Sequence, residues 1–232
     1  MEAWYYDESR QVGVDFSSEE EVREYDSKYK TLRNFDQEAD FIAQSIKLNP
    51  GSSIIEFGTG TGEHAVRLAR RCSEVTACDV SKTMIDYSRN KAARLGIKNI
   101  TFINAGFLNR SLPAEKYDAV ISQLALHHLP EFWKSAAVDN IRRILKPGGT
   151  FYLLDSILSF EISGYRESIT SVIDLAKEKM GEKIAGEIVI NIRDEYPAYD
   201  WSIENLLNKF GFRIEKKIKY TNIMSLYISV KE

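Results

Sequence analysis

Cysteine, proline and histidine are all scarce in this 232-residue chain, which has two, five and three of each. Two cysteines, Cys72 and Cys78, are too few for a disulfide framework. One falls at the end of an expected helix and the other in an expected buried strand, so both read as reduced core thiols of a cytosolic protein. No set of His and Cys stands at ligand spacing, so no metal site is expected. Long apolar runs are missing too: none approaches the ~20 residues of a membrane-crossing helix. The opening stretch, Met1-Glu-Ala-Trp-Tyr-Tyr-Asp-Glu8, is acidic and aromatic, unlike a signal peptide. Excess positive charge is also lacking. A formal net charge of -3 leaves no basic footprint for nucleic acid. These absences point to a cytoplasmic chain with neither membrane nor nucleic acid as partner, and they leave monomer and homodimer equally open.

What is present is an ordinary globular composition, 44% hydrophobic and 28% charged, long enough for one domain with its own core. The chain is organised around Ser53-Ile-Ile-Glu-Phe-Gly-Thr-Gly-Thr-Gly62. Ile54, Ile55 and Phe57 form a short apolar run, the mark of a buried parallel strand. Gly58, Gly60 and Gly62 follow, then a helical face of Ala65, Leu68, Ala69 and Cys72. Strand, glycine loop and helix make the first half of a nucleotide-binding βαβ unit. The spacing is not that of a dinucleotide fingerprint, because the third glycine of G-x-G-x-x-G would fall on Glu63. Glu56 places a carboxylate beside the loop, which suits a ligand carrying positive charge and suits a pyrophosphate poorly. A glycine-rich turn with no ligand is the plain alternative.

This E-x-G-x-G-x-G resembles motif I of the class I S-adenosylmethionine-dependent methyltransferases. Later stretches extend the resemblance over residues 50–232. Glu74-Val-Thr-Ala-Cys-Asp79 reads as a second strand ending in an acid, 21 residues after Gly58, where such folds hold two ribose hydroxyls. Asp79 could instead cap the next helix, but Ser81 already stands at that cap. Met84 either covers an adenine or packs in the core. Ile100-Thr-Phe-Ile-Asn104 is a third strand, followed by Ala105, Gly106 and Phe107. In similar enzymes an acid near this place binds the adenine amino group. This chain has Ala105 and Gly106 there, leaving backbone groups or Asn104 to read the base and Phe107 to stack on it.

Tyr117-Asp-Ala-Val-Ile-Ser122 is a fourth strand running into Gln123-Leu-Ala-Leu-His-His-Leu-Pro130. That segment resembles the post-strand stretch of small-molecule methyltransferases and lacks the Asn/Asp-Pro-Pro-Tyr/Phe signature of amino-methylating enzymes. His127 and His128 point in different directions, so one can face a pocket as a base while the other faces surface or core; a purely structural pair is the alternative. Lys146-Pro-Gly-Gly149 stops a helix before a fifth strand over Thr150–Asp155.

Around this centre, residues 1–50 read as cap helices, with a capping box at Ser18-Glu-Glu-Glu21 and a second helix from Phe35 to Leu48. The resemblance implies that these helices lie over a cofactor pocket, so that Tyr25, Tyr29 and Arg33 reach the ligand; otherwise the tyrosines pack on the core and Arg33 is solvated. Residues 51–155 form the cofactor-binding core. Residues 156–200 read as two lid helices and a loop, Arg193–Asp200, over the pocket mouth. Residues 201–232 give a last helix and an antiparallel hairpin.

The expected fold is α/β, a doubly wound Rossmann-like sheet of seven strands, mostly parallel with a C-terminal antiparallel hairpin, plus N-terminal helices and a helical lid. The resemblance, closest to the ubiquinone/menaquinone-biosynthesis type, implies S-adenosyl-L-methionine as cofactor and methyl transfer by in-line displacement to a small molecule. It implies cofactor contacts from Glu56, Gly58, Thr59, Gly60 and Gly62, from Asp79, Val80 and Met84, from Ala105, Gly106 and Phe107, from Gln123 and Leu124, and from Tyr29 and Arg33. A non-catalytic S-adenosylmethionine or S-adenosylhomocysteine binder and an NAD-dependent oxidoreductase are the alternatives. The acceptor, and whether O, N, C or S is methylated, cannot be read from these residues.

Overall fold

The computed structural model describes residues 2–10, 12, 13, 18–30 and 32–232; within 18–30, the side chains of six residues, among them the capping-box Glu21, also lie outside the described set. In chain order the elements are α1 (Glu19–Lys30), α2 (Phe35–Ser45), β1 (Ser53–Phe57), α3 (Glu63–Leu68), β2 (Glu74–Asp79), α4 (Lys82–Arg94), β3 (Ile100–Asn104), β4 (Tyr117–Gln123), α5 (Glu131–Ile144), β5 (Leu145–Leu158), α6 (Tyr165–Met180), α7 (Glu182–Asp194), β6 (Ala198–Tyr199), α8 (Asp200–Lys209), β7 (Phe212–Thr221) and β8 (Met224–Lys231).

The strands lie in the order β3-β2-β1-β4-β5-β8-β7. The first five pair in parallel, and β8 joins β5 and β7 antiparallel. This is the doubly wound sheet with a terminal hairpin that the sequence predicts. It is covered on both faces, which is why every residue of β1 is buried. Side chains alternate across a strand. Ile54 therefore meets Ala39, Ile42, Ala65 and Leu68 from α2 and α3. Its neighbour Ile55 lies in the other core, with Ala137 and Ile141 of α5 and Leu207 of α8.

Three boundaries differ from the sequence reading. The helix after the glycine loop ends as α3 at Leu68 and continues only as a 3-10 turn over Ala69–Arg71. α2 stops at Ser45, where the Leu48 N–H turns back to the Ala43 carbonyl. β5 runs from Leu145 to Leu158, beyond the expected Thr150–Asp155, because β4 and β8 flank it and β6 adds pairs at Ile157 and Leu158. β6 has two residues, too short for any periodicity to reveal.

α6 and α7 fall where the lid helices were expected. α7 is tied to α1 by Tyr29, whose hydroxyl donates to Glu187 at 2.8 Å, and to β5 by a Ser156–Asn191 hydrogen bond of 2.6 Å. Among the described residues no helix is long and apolar enough to cross a membrane.

Candidate functional site

β1 and β4 are neighbours in the sheet, but the chain leaves them toward opposite edges, which opens a crevice at their carboxyl ends. A cavity lies there. Gly58, at φ +71°, lets the loop after β1 pass close under the loop after β4; a Cβ on it would stand 2.4 Å from that of Ala125. Gly60 lines the cavity, and a Cβ there would meet nothing within 4 Å. Gly62 does not line it. A Cβ on it would stand 2.8 Å from that of Ser88, so its bareness lets the loop pack against α4. α1 is locked to this loop: Asp26 accepts from the Thr61 hydroxyl at 2.6 Å and from the Lys91 ammonium at 2.5 Å.

One wall is polar. Glu56 is buried, accepts from the Thr59 hydroxyl at 2.7 Å, and stands 3.5 Å from His64 Nδ1. The other nitrogen of His64 is 3.0 Å from Glu38. Glu38 also holds Arg33 in a two-pronged pair, at 2.9 and 2.5 Å. Burial alone would raise the Glu38 carboxyl, but hydrogen bonds from His64 and Arg33 hold it down at about 2. Arg33 lines the cavity, neither solvated nor free, because Glu38 occupies its fork. Gln123 completes the wall. Its Oε1 is buried and has no hydrogen-bond partner among the described residues. Leu124 lines the cavity at φ +54°, its N–H spent on the Leu154 carbonyl at 2.8 Å.

The adjoining wall begins at Asp79. One oxygen accepts from the Gly60 N–H at 2.8 Å and the other from the Ser81 N–H at 2.9 Å. The surrounding protein, only partly offset by those two N–H groups, pushes its carboxyl up to about 6. Ser81 caps α4 by accepting from the Met84 N–H at 3.2 Å, as expected. Val80, Met84, Ala105, Gly106 and Phe107 continue the lining. The Phe107 ring stacks on Phe57 at 4.8 Å, so one face of it already belongs to the core. Asn104 is turned away; its amide donates to the Asp79 and Val80 carbonyls at 2.9 and 2.8 Å.

The histidine pair divides. His128 lines the cavity. His127 does not: it is buried between Asp155, 2.5 Å from Nδ1, and Glu195, 3.2 Å from Nε2. Burial would lower the His127 pKa, but the Asp155 charge and then Glu195 raise it to about 9. A catalytic role at the cavity therefore does not fit His127; it is a charged strut between β5 and the end of the lid. Burial and the His127 charge together depress His128, which stays neutral at pH 7. His127, His128 and Glu195 are also a group with three ligand atoms close enough for a cation. Both ring nitrogens of His127 already face carboxylates, so a metal would have to displace its protons.

Tyr29 does not line the cavity; Tyr25, 4.6 Å from it ring to ring, does. No residue of 156–200 lines it either. Cover comes instead from Glu8, Arg10 and Val12 of the N-terminal segment, which the sequence did not single out. The Glu8 contacts span about a hundred residues, and no local pattern announces those. His64, two residues past the glycine motif in the first turn of α3, was the legible omission.

Residues 54–149 match the protein family described as a methyltransferase domain. An uncharacterized methyltransferase of Oceanobacillus iheyensis is 25% identical over 193 residues, 83% of this chain and 82% of that protein. Among solved structures, a SAM-dependent methyltransferase from Aquifex aeolicus is similar with a TM-score of 0.65 at 18% identity, covering 93% of this chain and 99% of that one. Geranyl diphosphate C-methyltransferase from Streptomyces coelicolor, solved with Mg2+, geranyl diphosphate and S-adenosyl-L-homocysteine, gives 0.68 at 10% identity, covering 96% and 91%. At those identities the structural likeness shows the shared fold.

Proposed function

We propose that this chain is a class I S-adenosylmethionine-dependent methyltransferase, that the crevice holds S-adenosyl-L-methionine and that its methyl group passes in line to a small-molecule acceptor; the methyltransferase-domain match over residues 54–149 and the methyltransferase relatives support the reading. The observation that carries the cofactor assignment is the pairing of two acceptor sets with open positions on one cavity. The first is Gln123 Oε1, a buried acceptor without a partner among the described residues, which suits the amino group of the methionine portion. The second is Asp79, each oxygen engaged by a single N–H, which leaves an acceptor position on each for a vicinal diol.

When bound, S-adenosylmethionine supplies a methyl group on a positively charged sulfur that is already a good leaving group. The chain's own part is to hold and align. Glu56 and the Gly58–Gly60 loop flank the methionine end, Asp79 the ribose, and Val80, Met84 and Ala105–Phe107 the base. Alignment of this kind provides much of the rate in a displacement that needs no acid. His128, neutral and on the cavity, is placed to take a proton where the acceptor must lose one. The net charge of -3 supports a small molecule over nucleic acid as acceptor.

S-adenosylmethionine, S-adenosylhomocysteine and NAD should be titrated separately while thermal unfolding is followed, in the wild type and in Asp79→Ala. Stabilisation by the two adenosyl sulfur compounds alone, weakened in the variant, is the expected result. Stabilisation by NAD only, or by none of the three, would sink the proposal. Transfer from a chiral methyl donor should invert the methyl group once an acceptor is in hand; retention would exclude a single in-line step.

A further inference from the structure

The N-terminal segment places an acid where the cavity's own loop has none. Glu8 is buried and lines the cavity beside Gly106 and Phe107. Its Oε2 accepts from the Phe107 N–H, and its Oε1 from the N–H groups of Leu108 and Asn109, each at 2.8 Å. A carboxylate oxygen has two acceptor positions. Oε1 is therefore filled, and Oε2 keeps one open.

Gly106 shows that this placement is built in. Its φ is not positive, so the backbone does not require glycine there. A Cβ on it would stand 2.2 Å from Glu8 Oε2, 2.4 Å from Glu8 Cδ and 2.8 Å from Val80 Cγ1. A side chain at position 106 would collide with the Glu8 carboxylate where it now stands. The segment is fixed on both sides of the cavity. The Tyr5 hydroxyl donates to the Leu108 carbonyl at 3.0 Å, the Tyr6 hydroxyl to the His128 carbonyl at 3.3 Å, and the Tyr5 ring lies 4.9 Å from Trp133. The loop holding Glu8 also adjoins Asp79, whose carbonyl accepts from the Ala105 N–H at 3.0 Å. A base attached to a ribose held at Asp79 would meet Val80, Ala105–Phe107 and Glu8, which line the same cavity.

We propose that Glu8 reads the base: its carboxylate, delivered by the N-terminal segment, accepts a hydrogen bond from the exocyclic amino group of the adenosyl ligand and rejects a 6-oxo base. This rests on the adenosyl-ligand reading above. A carboxylate oxygen can meet an amino donor, but it repels a carbonyl oxygen in the same place. Hydrogen bonds to charged groups of this kind discriminate by about tenfold to a hundredfold.

The test compares S-adenosylhomocysteine with its deaminated analogue, S-inosylhomocysteine, by calorimetry on the full chain. The wild type should bind the adenosyl compound about ten- to a hundredfold more tightly. Glu8→Ala should bring the ratio near one, mostly by loss of adenosyl affinity. The double variant Glu8→Ala/Gly106→Asp grows a carboxylate from position 106 into the vacated volume, with the Val80 methyl shifting, and should restore the preference; it decides the matter if Glu8→Ala does not fold. A wild-type ratio near one, equal weakening of both ligands in Glu8→Ala, or a double variant as indifferent as the single one overturns the proposal. So does tighter binding of both ligands to Glu8→Ala, which would make the segment an obstruction. If the wild type binds neither compound, the adenosyl reading itself falls; if it binds both equally, only the role of Glu8 does.

Discussion

Asp79 illustrates how one side chain can trade stability for binding. Its folded pKa, pushed up to about 6 by the surrounding protein, lies above the ordinary 3.8. A raised carboxyl holds its proton more tightly in the folded state. The folded chain therefore loses stability relative to the unfolded one as pH rises from about 4 to about 6, by up to about 2–3 kcal/mol. Urea unfolding of wild type and Asp79→Asn across that range should show the wild type losing ground as pH rises; parallel curves would contradict the shift. Ligand binding needs the ionised acceptor, so S-adenosylhomocysteine affinity should fall in the wild type as pH drops through about 6 and stay flatter in the asparagine variant. Gly58→Ala tests sterics at the same scale. It forces an alanine to φ +71° and drives its Cβ to 2.4 Å from that of Ala125. A cost of about 2–4 kcal/mol in unfolding free energy is expected, with loss of ligand binding.

At the scale of elements, the lid helices matter through the strut at their end rather than through the cavity wall. His127 joins Asp155 of β5 to Glu195 after α7, and the Tyr196 N–H returns to the His127 carbonyl at 2.9 Å. Removing the ring takes the cation from between two buried carboxylates, Asp155 and Glu195, so His127→Gln should cost about 3–5 kcal/mol. A histidine raised from 6.5 to about 9 contributes stability that is fully present below 6.5 and lost as pH climbs through 9. The gap between wild type and variant should therefore narrow from pH 6.5 to 9. A gap that stays constant over that range would mean the ring is uncharged. If His127 acts only as a strut, kcat per folded molecule should survive better in His127→Gln than in His128→Gln.

For the whole molecule, the crevice lies between two halves of one sheet and is roofed by the N-terminal segment, so ligand and fold stabilise each other. Excess S-adenosylhomocysteine, at a hundred times its dissociation constant, should add about 2.7 kcal/mol and raise the Tm by about 5–10 °C. The same ligand should slow amide exchange at Phe107, Leu108 and Asn109, whose N–H groups hold Glu8, together with the segment around it. Protection confined to the Gly58–Gly62 loop would mean the roof takes no part.

The sheet, its glycine loop and the acid ending β2 were written locally. Runs such as Ser53–Phe57 and Glu74–Asp79 carry their own period, and Gly58 with Asp79 falls at a spacing that one βαβ unit imposes. The terminal hairpin was legible for the same reason. The site's remaining parts depend on groups that meet only once the chain has folded. Glu8 lies about a hundred residues from the N–H groups it accepts from, and Glu195 reaches His127 from beyond the lid. Which histidine faced the cavity was likewise beyond local pattern. A 3-10 turn over Leu126–His128 turned His127 onto Asp155 and left His128 at the cavity. Periodicity encodes which face of an element is buried; it carries no information about which distant charge will be buried against it.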